Sequence, residues 1–321
     1  MSPQNGIVAN HTLDTGPLLT NAHLQTIWAN TVKNYSSVKS SSERVELPDG
    51  DFVDLEWSPP GERGVVLLLH GLEGGADSSY IKAIFSQLTK SNFQAVLLQF
   101  RGCSGVPNRL TRTYHSGHTS DLDYVAQLIV KRIGKLSAVI GYSLGGNVLL
   151  KWLGESNKSG LADRALAVSV PFDLAKSATR LDQGFSRIYR NRLIRSLQNK
   201  YILKAGKNEL PCTVDEIRRL KSFWSFDEKL TAPIHGFSSA EDYYTRSSCR
   251  YYLNKVSIPT LIIQSKDDPF LSEDALPKES DLSPHVHLIL TDKGGHVGFL
   301  EKNGTKSYLT SNIMKFISQV L

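Results

Sequence analysis

The sequence predicts an α/β fold: one mostly parallel sheet with helices on both faces. Short runs of Val, Ile and Leu alternate along the chain with segments whose apolar residues recur at helical spacing. The runs are continuously apolar, as expected of strands covered on both faces. The length of 321 residues, with 40% apolar and 21% charged residues, fits a globular α/β enzyme organised as one domain, 1–321.

Glu43 to Leu47 and Phe52 to Trp57 alternate around Pro48-Asp49-Gly50, a turn signal, and read as an antiparallel hairpin at a sheet edge. The parallel part follows: strand Val65 to Leu69, helix near Tyr80 to Lys90, strand Ala95 to Phe100, helix near Asp121 to Arg132, strand Ser137 to Ser143. A helix at Leu144 to Leu153 and a strand at Ala165 to Val170 continue the pattern, which then stops for about eighty residues. Phe172 to Arg250 is rich in Arg, Lys, Tyr and Phe. Phe185, Ile188, Tyr189, Leu193, Leu197 and Tyr201 recur at helical spacing within it, so the segment reads as a helical cap. Strands at Pro259 to Gln264 and Val286 to Leu290 resume the sheet, and a helix at Tyr308 to Leu321 closes the chain. Ser36 to Ser42 reads as a loop.

Composition excludes several classes. Cys103, Cys212 and Cys249 are far apart and lack metal or redox spacing, which fits a reducing, cytoplasmic home. No stretch is apolar enough to span a membrane, and no leader pattern opens the chain. The net charge of +6 comes from scattered basic residues, so nucleic acid is not an expected partner. No ligand-spaced cluster or nucleotide loop points to a metal or a cofactor.

The chemistry is concentrated at strand ends. Gly141-Tyr142-Ser143-Leu144-Gly145 matches G-x-S-x-G at a strand-to-helix junction, the sharp turn that lifts a serine hydroxyl above the sheet in the α/β-hydrolase fold. A serine needs a base, and its oxyanion intermediate needs fixed donors. His70-Gly71-Leu72-Glu73-Gly74-Gly75 follows the Val65 strand, so the backbone N–H groups of Leu72 and Leu144 are the candidate oxyanion donors. The acid and the base should follow the serine in that order. Asp267 and Asp268 leave the Pro259 strand, and His296 lies in GGHVGF beyond the Val286 strand. His285 and His287 alternate with Val286 and Leu288 and read as sheet-face residues. His70 reads as a hydrogen-bonding residue of the oxyanion loop.

These motifs resemble the YheT-like α/β-hydrolases, a branch that also includes membrane-anchored eukaryotic esterases and phospholipases. The likeness covers NAHLQT at Asn21, HGLEGG at His70, FRGCSG with NRL and YHSG between Phe100 and Gly117, and GYSLGGN at Gly141. It continues through TAPIHGF at Thr231, DDPF at Asp267 and GGHVGF at His296. The resemblance implies a triad of Ser143, Asp268 and His296, an esterase-type activity and a helical cap. It assigns no role to His23, Arg101, Asn108 or His115, which read as loop residues holding the surroundings of the site together.

The expected function is therefore a cofactor-free serine carboxylester hydrolase acting on small acyl esters of short to medium chain. The same acyl-enzyme would serve acyl transfer, thioester cleavage or a lipase. A different class, a non-catalytic module binding a small ligand in the same pocket, is the alternative. The basic and apolar pattern of Phe185 to Leu203 adds possible peripheral contact with a membrane surface.

Overall fold

The computed structural model describes residues 6–17, 19–31, 38–155, 160–302 and 308–319. An edge strand β1 (Ile7–His11) and a helix α1 (Ala22–Thr31) open the chain, followed by the hairpin β2 (Ser41–Glu46) and β3 (Phe52–Trp57). The alternating part is β4 (Val65–Leu69), α2 (Ser79–Lys90), β5 (Gln94–Gln99), α3 (Ser120–Ile133), β6 (Ala138–Tyr142), α4 (Leu144–Glu155) and β7 (Ala165–Val168). Only helices come next: α5 (Leu174–Leu181), α6 (Arg187–Lys204), α7 (Val214–Arg219), α8 (Phe223–Phe226), α9 (Ala232–His235) and α10 (Ala240–Ser247). Then β8 (Thr260–Ser265), β9 (Val286–Thr291) and α11 (Tyr308–Ile317) complete the described chain.

The nine strands form one sheet in the order β1-β9-β8-β7-β6-β4-β5-β3-β2. β3 is antiparallel to both β2 and β5, and the other pairings are parallel. Successive side chains of β4 show why its run is wholly apolar. Val65, Leu67 and Leu69 enter one apolar layer with Leu122, Val125 and Ile129 of α3 and Val148, Leu149 and Trp152 of α4. Val66 and Leu68 enter the opposite layer with Ile81, Ile84 and Leu88 of α2 and Ile313 and Ile317 of α11. Both faces of the strand are buried, so neither period-2 position tolerates polarity.

The helices between β7 and β8 have an apolar centre of their own, including Leu174, Ile194, Tyr201, Ile217, Phe223 and Phe226. Capping sets several of their starts: Asp173 accepts from the Lys176 N–H, and Thr213 and Glu216 form a reciprocal capping box. α6 turns Ile194 and Tyr201 inward and leaves Arg187, Ile188, Arg192 and Arg195 exposed, the one-sided burial of a surface helix. Among the described residues no helix is long and apolar enough to cross a membrane.

The structure adds two elements that the pattern did not announce, β1 and α1. β1 is a largely exposed edge strand whose apolar stretch, Ile7 to Ala9, is only three residues long. α1 buries Gln25 and Thr26 completely or nearly so, a polar face invisible to hydrophobic periodicity. The loop expected at Ser36 to Ser42 ends sooner, because β2 already includes Ser41 and Ser42; residues 36–37 lie outside the described ones. The closing helix ends at Ile317, and residues 320–321 likewise lie outside the description. His287 is an exposed sheet-face residue of β9 as expected, whereas His285 precedes the strand.

Candidate active site

β6 ends and α4 begins at Ser143, whose φ of +51° is in the left-handed region that L-residues avoid. The strand can turn this tightly only because its neighbours lack side chains. A Cβ on Gly141 would collide with the carbonyl of Gly145, and one on Gly145 would come within 2.5 Å of the His70 carbonyl oxygen. The Ser143 N–H is held by the Val168 carbonyl at 2.8 Å. Glu73, Ser169 and Val297 also have positive φ, so the strained backbone is concentrated around this serine.

The loops after β8 and β9 bring Asp268 and His296 to it. His296 Nδ1 lies 2.8 Å and 3.1 Å from the two carboxylate oxygens of Asp268, and His296 Nε2 lies 2.9 Å from Ser143 Oγ. A carboxylate can only accept, so Nδ1 carries the proton and Nε2 is left to accept from the serine hydroxyl. Asp268 is itself fixed: Gln264 Nε2 donates to one oxygen at 3.1 Å and the Phe270 N–H to the other at 2.8 Å. The Phe270 ring stacks flat on the imidazole, with centroids 3.9 Å apart. The His296 N–H donates to Thr26 Oγ1 at 2.9 Å, and the next N–H, of Val297, donates to Ser169 Oγ at 3.0 Å. Asp267 points elsewhere and accepts from the Gly295 N–H at 2.9 Å.

The loop after β4 closes over the serine so tightly that a Cβ on Gly71 would lie 3.2 Å from Ser143 Cβ. Leu72 and Leu144 both line the pocket with Ser143, and among the described residues neither N–H has an acceptor. Glu73, which sequence reasoning did not single out, anchors this loop. Tyr114 Oη donates to Glu73 Oε1 at 2.7 Å and accepts the Glu73 N–H at 2.8 Å. From α6, Ser196 Oγ donates to Oε2 at 2.6 Å and Lys200 Nζ pairs with Oε1 at 2.7 Å. The candidate oxyanion loop is thereby tied to the helical insertion.

His70 has the structural role expected of it. Its Nδ1–H donates to the Gly71 carbonyl at 2.7 Å, and Nε2 accepts the Phe100 N–H at 3.1 Å. Burial, the dominant effect, lowers its pKa from 6.5 to about 4. Between these values the unfolded chain binds a proton that the folded one refuses, so stability falls as pH falls from 6.5 toward 4. This one group contributes a slope of up to about 1.4 kcal/mol per pH unit. Urea midpoints measured across that range should therefore slope less steeply for His70→Gln than for the native chain; equal slopes would refute this origin of the acid sensitivity.

The four unassigned residues brace the surroundings. Arg101 makes a bidentate pair with Asp121, at 2.7 Å for each bond, and also reaches Asp49 and Asp51. Asn108 donates to Asp51 at 2.6 Å and accepts from Lys204 of α6 at 2.6 Å. His115 packs against His118 and His235. His23 differs from expectation in being helical: from α1 it reaches Tyr189 Oη at 3.2 Å and packs on Phe185. Among the described residues no group of three or more His, Cys, Asp or Glu is placed to hold a metal ion.

Two cavities meet at the serine. One, about 830 Å³ measured out to its mouth, runs beneath the helical insertion between Leu144, Leu174, Leu181, Leu197 and Phe223. The other is a broader polar cleft bordered by Arg44, Asp54, Glu56, Arg192 and Ser196. Leu72, Ser143, Leu193 and Phe270 border both.

A family model described as alpha/beta hydrolase fold matches residues 64–303. The chain is 38% identical to the YheT protein of Escherichia coli over 87% of this chain and 84% of that one. It is 31% identical to the medium-chain fatty acid ethyl ester synthase/esterase 2 of Saccharomyces cerevisiae, over 79% of this chain and 62% of that one. The monoacylglycerol lipase of the same yeast is 27% identical over 82% and 61% respectively, so the chain spans less than two thirds of either yeast protein. An esterase of Pyrococcus furiosus superposes with a TM-score of 0.55 at 17% identity, covering 90% of this chain and 97% of that one, a likeness of fold.

Proposed function

This chain belongs to the α/β-hydrolase fold family, and from that premise we propose that it is a serine carboxylester hydrolase working through an acyl-enzyme. The observation that carries the reading is the unbroken hydrogen-bonded line from Ser143 Oγ through His296 to Asp268, on a serine held at positive φ. In this mechanism Ser143 Oγ attacks the acyl carbonyl as its proton passes to His296 Nε2. The N–H groups of Leu72 and Leu144 take the charge that develops on the carbonyl oxygen. His296 then protonates the departing alkoxide, and a water repeats the sequence to release the acid. Asp268 stays ionised and stabilises the imidazolium.

The two cavities suit the two halves of an ester. The leucine-lined pocket takes the acyl chain; the polar cleft takes the alcohol and, later, the water. The yeast relative's name, with its medium-chain fatty acid ethyl esters, supports an acyl substrate of this kind. That name also includes synthesis, and the same acyl-enzyme would serve acyl transfer if an alcohol or thiol replaced water. Cys103, Cys212 and Cys249 are all free thiols, which supports a reducing, cytoplasmic setting.

The insertion walls the acyl pocket and limits its size, so kcat/KM for p-nitrophenyl esters from acetate to palmitate should climb by up to about fourfold per methylene and fall once the pocket is full. We place the maximum at short to medium chains. A steady climb to palmitate with activation at a lipid interface would replace this reading with a lipase. Faster transfer to added ethanol than to water would replace it with an acyltransferase.

A further inference from the structure

Five large apolar side chains that the core does not use come together beside the polar cleft. Leu24, Ile27 and Trp28 of α1, Phe185 in the turn before α6, and Ile188 of α6 are each between 39% and 55% exposed. Positions three and four apart are neighbours on a helix, so Leu24, Ile27 and Trp28 share one face of α1. The two elements touch: the His23 ring packs on Phe185 with centroids 4.5 Å apart, and His23 Nδ1 lies 3.2 Å from Tyr189 Oη. Ile27, one turn beyond His23, and Arg192, one turn beyond Ile188, both border the cleft that includes Ser143. Apolar residues exposed singly are ordinary on a protein surface, but a cluster on two touching elements beside a site marks a contact surface.

The charge around this cluster selects the partner. Arg187, Arg192 and Arg195 are exposed on α6, and among the described residues none of them pairs with an acid; Arg187 only donates to the Asp182 carbonyl. The acids nearby are taken: Asp182 by Arg190, Asp77 by Lys82, Asp54 by Arg44 and Glu73 by Lys200. Of the acids that border the cleft, only Glu56 lacks a cation among the described residues. A second copy docked on this face by two-fold symmetry would bring two sets of the same arginines together. An anionic lipid surface meets both needs. Its phosphates suit guanidinium groups, and the boundary between headgroups and acyl chains is where an exposed Trp and its aliphatic neighbours gain most.

We propose that the face formed by α1 and the start of α6 docks on an anionic phospholipid surface. Leu24, Trp28, Phe185 and Ile188 enter the headgroup boundary, and Arg187, Arg192 and Arg195 pair with phosphates. Docking holds the cleft beside the layer into which acyl esters partition. The contact needs no turnover, so it stands or falls separately from the esterase reading above.

The test is flotation with vesicles of phosphatidylcholine alone and of phosphatidylcholine mixed with phosphatidylglycerol. It compares the native chain with two double variants, Trp28→Ser with Ile188→Ser and Arg187→Glu with Arg195→Glu. These side chains are exposed and border neither cavity, so both variants should melt as the native chain does, which shows that they are folded. The native chain should float with the phosphatidylglycerol vesicles, stay behind with phosphatidylcholine alone, and be released as salt rises. Partitioning should fall by about tenfold or more in each double variant. No flotation with phosphatidylglycerol vesicles at low salt overturns the proposal, as does flotation unchanged in both variants. Equal flotation with the two vesicles removes the anionic partner. Loss in the arginine variant alone reduces the effect to adsorption of a chain of net charge +6, without apolar docking. Self-association in light scattering that Trp28→Ser with Ile188→Ser abolishes, with no flotation, assigns the face to a second copy instead.

Discussion

Replacing Ser143 with Ala should leave a folded protein whose ester hydrolysis falls by several orders of magnitude, up to about 10⁶ in kcat, the loss expected when the nucleophile of a cooperating unit is removed. Folding should survive because the hydroxyl's recorded partner is His296 Nε2, whose other nitrogen remains anchored on Asp268. Alanine also accepts the +51° φ about as poorly as serine, so the backbone strain is unchanged by the substitution. The same pair of proteins separates the enzyme from a non-catalytic module with the same pocket. A fluorophosphonate needs an activated serine and should label the native chain but not Ser143→Ala. Hydrolysis by the variant at near-native rate, in a preparation free of contaminating esterase, would sink the mechanism; absence of label on the native chain would favour the binding module.

Ser143 and His296 were legible in the sequence because each sits in a short motif beside an apolar strand, and strand ends in such a sheet are where loops converge. The shell that orients them was not. Thr26 meets the His296 N–H across 270 residues, and Ser169 meets the Val297 N–H across 128. Neither threonine nor serine signals such a contact locally. The same holds for Glu73, whose partners Tyr114, Ser196 and Lys200 come from a loop and from α6. α1 escaped notice because it buries amide and hydroxyl groups: Gln25 donates to the Leu19 and Leu300 carbonyls and accepts the Leu300 N–H, which fastens the loop behind His296. Periodicity registers apolar burial, so a helix that docks through hydrogen bonds leaves little trace in it.

The adjacent pair Asp267 and Asp268 gives the sharpest test of the site, because two chemically identical side chains should differ by orders of magnitude. Asp268→Asn should lower kcat by up to about 10⁴. The amide that replaces the carboxylate can present an N–H toward Nδ1, which favours the tautomer protonated on Nε2 and leaves the serine without a base; it also removes the charge that stabilises the imidazolium. With the amide nitrogen turned toward Nδ1, the Phe270 N–H would keep its acceptor in the remaining oxygen while Gln264 Nε2, which serves the other oxygen, would lose its own, so the loop should persist with one bond fewer. Asp267→Asn should do much less. Asp267 accepts the Gly295 N–H with Oδ1, which an asparagine carbonyl can also do, and its Oδ2 is buried with no hydrogen-bond partner among the described residues. Burial raises the Asp267 pKa, so the neutral amide relieves a cost that the carboxylate bears. Asp267→Asn is thus expected to keep near-native kcat and equal or greater thermal stability, measured by ester turnover and by melting of the same preparations. If Asp267→Asn proved the more damaging of the two, Asp268 would not be the group that orients His296.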